Sequence, residues 1–259
     1  MVYLTDQELL AFIGNYFFPF CRISAFFLAV PIIGTQLISA RIRVILSIIV
    51  TMLAAPLITN AIVIPGLNLQ TLIVVMQQVI IGIAMGFIVQ IVFQLFVLAG
   101  QFIAMKIGLG FASMNDPSSG VSVTVISQLY LMISTLLFLS LNGHLILIEV
   151  LVKSFTALPM SLSGLSPEAL MEIVGMGSWM FESALVVSIP VLTSLLIVNI
   201  AFGVMSRSAP QMNVFAVGFP ITLVFGLLLL WFSLTNFLPD YQLLVNEGLL
   251  KLNSIIGIP

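Results

Sequence analysis

Residues 69–103 read LQTLIVVMQQVIIGIAMGFIVQIVFQLFVLAGQFI, a run without any charged side chain. An α-helix of this length extends roughly 50 Å, at about 1.5 Å per residue. The hydrocarbon core of a bilayer is only about 30 Å thick. The run therefore predicts a membrane helix that tilts, bends or projects beyond the bilayer.

The composition of the whole chain is that of a membrane protein. Of its 259 residues, 61% are hydrophobic and only 6% are charged, whereas a soluble domain carries about 25% charged residues. This excludes a soluble monomer, a disordered protein and a nucleic-acid binder. The single cysteine, Cys21, excludes an internal disulfide, and the single histidine, His144, excludes a His-rich metal centre. We expect neither a metal nor a cofactor.

Charges and helix breakers divide the chain into about six hydrophobic stretches, most of them long enough for a membrane helix. Their approximate bounds are 9–33, 44–64, 69–103, 121–154, 166–205 and 212–238. Ser166-Pro167-Glu168 is typical of a helix start, because it offers an N-cap, a first-turn proline and a first-turn acid. A short amphipathic tail begins at Pro239-Asp240. We predict an all-α, polytopic, membrane-associated fold.

The sequence lacks the common signatures of an enzyme. His144 is followed by a leucine, so the chain has no His-Glu-x-x-His zinc motif. Ser161 and Ser163, near Gly164, do not form the Gly-x-Ser-x-Gly nucleophile elbow. Nothing close to His144 in the sequence completes a catalytic triad. We predict that the protein is not an enzyme.

Charged residues inside the hydrophobic stretches could mark a functional site. Arg22, Glu149 and Glu182 look intramembrane, and such residues usually face a bundle interior or an ion path. The alternative is a structural ion pair. We favour that alternative for Glu149, because Lys153 follows four residues later in the stabilising helical order. For Arg22 and Glu182 both interpretations stay open.

A row of glutamines and glycines runs along the third stretch. Its members are Gln78, Gly82, Gly86, Gln90, Gln94 and Gln101. The first five are four residues apart, and the last follows after seven. The small residues of Gly82-x-x-x-Gly86 allow two backbones to approach closely, and glutamine is costly in lipid. The row therefore indicates a subunit interface or a pore lining, and packing within the chain is the alternative.

Residues 108–120, which read GLGFASMNDPSSG, are the most unusual segment of the chain. Three glycines and Pro117 oppose a helix, yet Leu109, Phe111 and Met114 are apolar. Irregular backbone near a membrane persists only where protein buries it or where it lines a water-filled cavity. We interpret the segment as a loop folded into a pore, with Phe111 and Met114 as an adaptable packing surface. An ordinary exposed connection is the alternative.

Three groups of short motifs occur in a defined order along nearly the whole chain. They are Arg22-Ile23-Ser24-Ala25-Phe26-Phe27, Pro31-Ile32-Ile33-Gly34 and Arg41-Ile42-Arg43; then Gly100-Gln101, Lys106-Ile107-Gly108-Leu109-Gly110-Phe111-Ala112 and Asp116-Pro117; and finally the turn from Arg207 to Pro210. In this order and spacing, the motifs resemble the FliR/SctT family of type III secretion export-gate proteins. The overall pattern favours the flagellar branch.

The resemblance implies a core subunit of the flagellar type III protein export gate, in the bacterial inner (cytoplasmic) membrane at the flagellar basal body. It implies assembly with FliP and FliQ homologues around a channel for unfolded flagellar proteins. FlhB and FlhA homologues are implied as partners on the cytoplasmic side. Residues 1–160 correspond to a FliP-like part, and residues 161–259 to a FliQ-like helical hairpin with a C-terminal tail.

The family also suggests roles for individual residues. The loop matching residues 106–122 projects into the channel as a plug in that family. The resemblance gives this role to Lys106, Gly108, Gly110, Phe111, Met114, Asp116 and Pro117. It places the turn with Arg207 and Pro210 at the cytoplasmic mouth of the channel.

Two other classes of function stay as alternatives. A secondary membrane transporter uses charged residues at a midplane site, for which Arg22 and Glu182 are the candidates. An intramembrane hydrolase needs a reactive nucleophile, for which we find no motif.

Overall fold

The computed structural model describes residues 13–58, 68–110, 113–115, 122–208 and 214–258. These residues form α-helices and one small β-hairpin. The helices are α1 Phe18–Ala29, α2 Ala40–Ala54, α3 Leu69–Ile107, α4 Val125–Ser140, α5 Gly143–Ala157, α6 Pro167–Ser208, α7 Val214–Thr235 and α8 Phe237–Ile256. A π-helical turn at Ile13–Phe17 precedes α1, and a 3₁₀ turn at Ala55–Leu57 extends α2. The predicted all-α fold is confirmed.

Four helical segments are long and apolar enough to cross a membrane. They are Ala40–Leu57, Leu69–Ile107, Pro167–Met205 and Gly218–Thr235. The bent pair of α4 and α5 raises the number to five if it counts as one span. Helix α3 covers the whole charge-free run and continues to Ile107, so the predicted overlong helix is confirmed. The polytopic membrane prediction is confirmed with it.

The start of α6 follows the predicted capping chemistry. The Ser166 hydroxyl accepts a hydrogen bond from the Ala169 backbone N–H at 3.1 Å, Pro167 is the first helical residue, and Glu168 lies in the first turn. A serine N-cap satisfies a backbone donor that the helix leaves unpaired, and a first-turn acid favours the positive end of the helix dipole. This helix then continues through Pro190 to Ser208.

The fourth hydrophobic stretch is bent at Asn142-Gly143, where the sequence indicates a kink or a polar contact inside a helix. Helices α4 and α5 meet at an angle of 71°. Asn142 adopts the left-handed conformation, with φ of 58°, and a Cβ atom on Gly143 would collide with the Phe138 ring. Asparagine tolerates this backbone conformation better than most residues. The bend therefore follows from two adjacent residues that hydrophobicity alone does not reveal.

In the described part of the first hydrophobic stretch, residues 13–33, the α-helix is short. Helix α1 ends at Ala29 because Val30 adopts an extended conformation, which the following Pro31 favours. The loop after it is held by Arg43, whose guanidinium donates to the carbonyl oxygens of Ile33 at 3.2 Å and of Thr35 at 3.0 Å. Arg43 is thus a structural residue of this loop.

The chain forms two compact units, each assembled from separate segments. The first contains the described residues of 1–91, 138–177 and 248–259, and the second those of 92–137 and 178–247. In the first unit, Phe18, Phe26 and Phe155 are almost fully buried. In the second, an aromatic cluster comprises Phe96, Tyr130, Phe237 and Tyr241. The division into a FliP-like part, 1–160, and a FliQ-like part, 161–259, concerns likeness to other proteins and stays a prediction.

Candidate functional site

The predicted channel loop begins at a well-formed helix end. The backbone N–H of Gly108 donates to the Met105 carbonyl oxygen at 3.3 Å, and that of Leu109 donates to Ala104 at 2.9 Å. This pair of bonds is the Schellman motif, which requires a residue in the left-handed region. Gly108 has a φ of +96° and meets this requirement at no steric cost. Lys106 lies in the last turn, where its charge favours the negative end of the helix.

Within the loop the structure contains a hairpin that the sequence analysis missed. Strands β1, Ser113–Asn115, and β2, Ser122–Thr124, pair in antiparallel register, with Met114 opposite Val123. Three-residue strands carry too little alternation to stand out in a sequence. Of the predicted plug residues, Phe111, Asp116 and Pro117 lie outside the described part of the chain. Gly108 and Gly110 are described and lie at the start of the loop.

Hydrogen bonds also hold the C-terminal end of the loop. The Thr124 hydroxyl accepts a hydrogen bond from the Ser127 backbone N–H at 3.3 Å, which caps α4, and it pairs with the Ser127 hydroxyl at 2.8 Å. Helix α4 then packs closely on α3, because a Cβ atom on Gly100 would lie 2.8 Å from the Cα of Ser127. Both ends of the loop are therefore fixed relative to α3.

The glutamine–glycine row divides into two parts. Gln78 is fully buried, and Gly82 and Gly86 lie directly against the backbone of α1. A Cβ atom on Gly86 would lie 2.6 Å from that of Ala29. For these three positions the structure shows packing within the chain, which is the alternative that the sequence left open. The exposed members are Gln90, Gln94 and Gln101.

Arg22 is completely buried, and its hydrogen bonds join three helices of the first unit. Its Nε donates to Gln78 Oε1 at 2.9 Å. Its two terminal nitrogens donate to the carbonyl oxygens of Ser154 and Leu158, each at 2.8 Å. A further bond reaches the Ser154 hydroxyl, and the guanidinium lies 4.2 Å from the centre of the Phe155 ring. The charge thus caps the C-terminal end of α5, where a cation is stabilised.

The other charged candidates are exposed. Lys153 and Glu149 form an ion pair of 2.7 Å on the surface of α5, which agrees with the structural alternative. Glu182 and His144 are exposed on α6 and α5. Among the described residues, no group of three or more His, Cys, Asp or Glu side chains could hold a metal ion. Arg207 belongs to the last turns of α6, and Pro210 lies outside the described residues.

The single cysteine has low reactivity as a nucleophile. Cys21 lies in α1, outside the candidate membrane spans, and its side chain is buried. Burial raises the pKa of its thiol to about 11. A thiol reacts as its thiolate, so Cys21 is a poor nucleophile near neutral pH.

Comparison with known proteins identifies the family. The family described as "Bacterial export proteins, family 1" matches residues 13–248. The chain belongs to this export family. It is 34% identical to the flagellar biosynthetic protein FliR of Escherichia coli (strain K12) over 258 residues, which cover 99% of this chain and 98% of the relative. The resemblance to the FliR/SctT family is confirmed.

Other relatives carry the same name across distant bacteria. FliR of Pectobacterium carotovorum subsp. carotovorum is 31% identical, over 95% of this chain and 94% of its own length. FliR of Aquifex aeolicus (strain VF5) is 29% identical, over 89% and 87% respectively. In each case the likeness extends along most of both chains. The match to the export family thus concerns the whole architecture rather than a single shared segment.

Proposed function

We propose that this member of the export family is a core subunit of the flagellar type III export gate. It assembles with FliP and FliQ homologues in the bacterial inner membrane, at the flagellar basal body, to form a channel for unfolded flagellar proteins. Loop 106–122 is the plug of that channel. The single observation that carries the plug is an apolar, glycine-jointed loop with both of its ends fixed on α3.

The anchoring of the loop suits a seal that opens. A Schellman end at Gly108 and a capped helix start at Thr124 hold the base in place. Between them, Gly110 and Gly120 give the backbone more freedom than other residues would. Phe111 and Met114 supply apolar, adaptable surface in a segment whose local packing is cheap to remake. Such a loop excludes water and ions when closed and yields to a passing polypeptide.

The exposed glutamines are the proposed contact with a neighbouring subunit. Gln90, Gln94 and Gln101 have no place in lipid, because an unpaired amide in hydrocarbon costs several kcal/mol, about 4–8 by water-to-cyclohexane transfer. A polar helix of a FliP or FliQ homologue satisfies them. The FliP-like residues 1–160 and FliQ-like residues 161–259 take the positions of such subunits in the assembly. FlhB and FlhA homologues bind on the cytoplasmic side, near the turn with Arg207 and Pro210.

A catalytic or transport role has less support. Arg22 was one of the two candidates for a midplane transport site, but its donors are occupied by Gln78, Ser154 and Leu158. A substrate anion would have to displace these bonds. Glu182 is exposed, and nothing in the described residues completes a site around it. We therefore propose a channel subunit without enzymatic activity.

The first test is a hairpin deletion. Register places Ser113 opposite Thr124, so their Cα atoms are about 5 Å apart. A two-glycine link between them replaces residues 114–123 while both anchors stay intact. We expect this variant, co-expressed with FliP and FliQ homologues, to assemble normally and to raise ion leakage across the membrane. An unchanged leak in a complete assembly would place the seal elsewhere.

The second test locks the loop. Because Cys21 is buried and unreactive, engineered cysteines can be introduced into the natural sequence. We expect disulfides between Gly110→Cys and cysteines of the FliP homologue to stop secretion, and a reductant to restore it. The matched control is Ser163→Cys, in the exposed connection between α5 and α6. Normal secretion despite a verified crosslink at position 110 contradicts the plug.

A further inference from the structure

The entrance of the loop is covered by an aromatic ring from a distant part of the chain. A Cβ atom on Gly108 would lie 2.7 Å from Cε2 and 3.4 Å from Cδ2 of Phe219. Phe219 belongs to the first turns of α7, directly before Pro220. The ring therefore rests on Gly108, which directly follows the last residue of α3 and has a positive φ, and this residue is the joint between helix and loop.

A second contact holds the same two helices together. A Cβ atom on Gly226 would lie 2.6 Å from Cγ1 of Ile107, the residue before the joint. Phe219 and Gly226 are seven residues apart, which places them on the same face of α7 about two turns from each other. Helix α7 thus lies along the end of α3, with Gly226 allowing the close approach and Phe219 covering Gly108.

Ordinary core packing does not explain the position of Phe219. Its side chain is 53% exposed, whereas Ile107 beside the joint is 1% exposed. A ring that is half open to its surroundings contributes little to a core. It does restrict the rotation of the Gly108 backbone, because a change of φ there moves the chain into the ring.

We propose that Phe219 is a positioning residue for the plug. Its ring holds the Gly108 joint in the closed arrangement, and displacement of the start of α7 releases the joint. Helix α7 begins at Val214, six residues after Ser208, at which α6 ends. A partner that displaces the start of α7 can thereby open the loop without touching it. This inference rests on the proposed function of loop 106–122.

The contact itself is tested by a double-mutant cycle on the thermal stability of the purified assembly. Gly108→Ala introduces a strained φ and a clash with Phe219, and Phe219→Ala removes only the clash. We expect the double variant to melt at a higher temperature than the sum of the two single effects predicts. Gly175→Ala, which meets nothing within 4 Å, is the control. Strict additivity would overturn the contact.

The gating role is tested by ion leakage of assembled gates. We expect Phe219→Ala to raise the leak several-fold, Phe219→Tyr to leave it low because the ring is kept, and Phe225→Ala to leave it low as the control. Phe225 has similar exposure, 48%, on the same helix. Co-purification with the FliP and FliQ homologues shows that each variant assembles. If Phe219→Ala does not assemble, Phe219→Leu replaces it. Leucine also lacks a ring, so we expect the same several-fold rise in the leak.

The outcomes separate this inference from the function on which it rests. If the hairpin deletion leaks and assembled Phe219→Ala or Phe219→Leu does not, the positioning role is overturned while the plug stands. If the hairpin deletion does not leak, the plug itself is overturned and the positioning role with it. Leakage from the variants without a ring, with none from Phe219→Tyr, supports both.

Discussion

Arg22 is a buried charge in a chain with few charged residues, and it shows how one side chain can join several helices. Arg22 has no carboxylate partner among its described contacts; backbone carbonyls, one amide and one hydroxyl accept its hydrogen bonds. Ser154 and Leu158 lie at the C-terminal end of α5, where a helix leaves carbonyls without helical donors, and Gln78 lies on α3. Its role is to join α1, α3 and α5, and this explains a charge inside an apolar stretch without any transported ion.

We expect Arg22→Lys to be poorly tolerated despite the retained charge. A lysine ammonium cannot reproduce a planar fork directed at Gln78, Ser154 and Leu158. With buried acceptors left unsatisfied, the free energy of unfolding should fall by about 3 kcal/mol. Thermal unfolding of the detergent-solubilised protein measures this. Arg41→Lys, at an exposed position, should change stability by less than about 0.5 kcal/mol. Equal effects at both positions would contradict the role of Arg22.

Replacing a glycine of this chain by alanine should change the stability in opposite directions, according to the space around the glycine. Gly82→Ala should lower the free energy of unfolding by about 2 kcal/mol or more, since the new methyl group would collide with the Arg22 carbonyl of α1. Gly175→Ala should raise it by up to about 1 kcal/mol, because the site is open and alanine favours a helix. The same unfolding measurement distinguishes them, and a stabilising Gly82→Ala would show that α1 and α3 are not in close contact.

At the scale of one element, helix geometry explains why the glutamine–glycine row divides. A step of four residues turns about 400° around a helix with 3.6 residues per turn, so each step advances the row by about 40°. From Gln78 to Gln94 the row therefore rotates by about 160°. Its first members point at α1 and its later members point away. The spacing of four suggested a single ridge, and the drift around α3 divides that ridge between two environments.

The bend between α4 and α5 depends on one backbone conformation. Asn142 has a φ of 58°. We expect Asn142→Val to lower the free energy of unfolding by about 1–2 kcal/mol, since a β-branched side chain is strained there, and Asn142→Gly to be neutral or stabilising. Leu141→Val, at the neighbouring exposed position, is the control. Thermal unfolding measures all three, and similar losses for both valine variants would argue against a conformational cause.

The molecule as a whole exposes more apolar surface than water can solvate. Trp231 and Phe232 are each 72% exposed and Ile197 is 69% exposed. In the 18-residue window of Gly218–Thr235, only 17% of the residues are buried inside the chain. Lipid or other apolar chains must cover such a surface. This agrees with the export family and with helices long enough to span a membrane.

Assembly should depend on the exposed glutamines rather than on the buried one. We expect Gln94→Arg to reduce co-purification of FliP and FliQ homologues at least several-fold while the chain stays folded in the membrane, because a buried charge without an ionic partner at the interface is costly. Gln242→Arg, at an exposed position of α8, is the control. An intact assembly with Gln94→Arg would show that this face of α3 does not meet a partner.

The sequence by itself determined the membrane class, the all-α fold, the length of α3, the start of α6 and the family. These follow from composition, periodicity, capping and motif order, which are local properties of the chain. Only the tertiary structure decided which glutamines are exposed, why Arg22 is buried, how sharply the fourth stretch bends and what covers Gly108. The reason is physical: Arg22 and Ser154 are 132 positions apart, and Gly108 meets a ring from α7. No local pattern specifies contacts between residues so distant in sequence, because they form only when the helices pack.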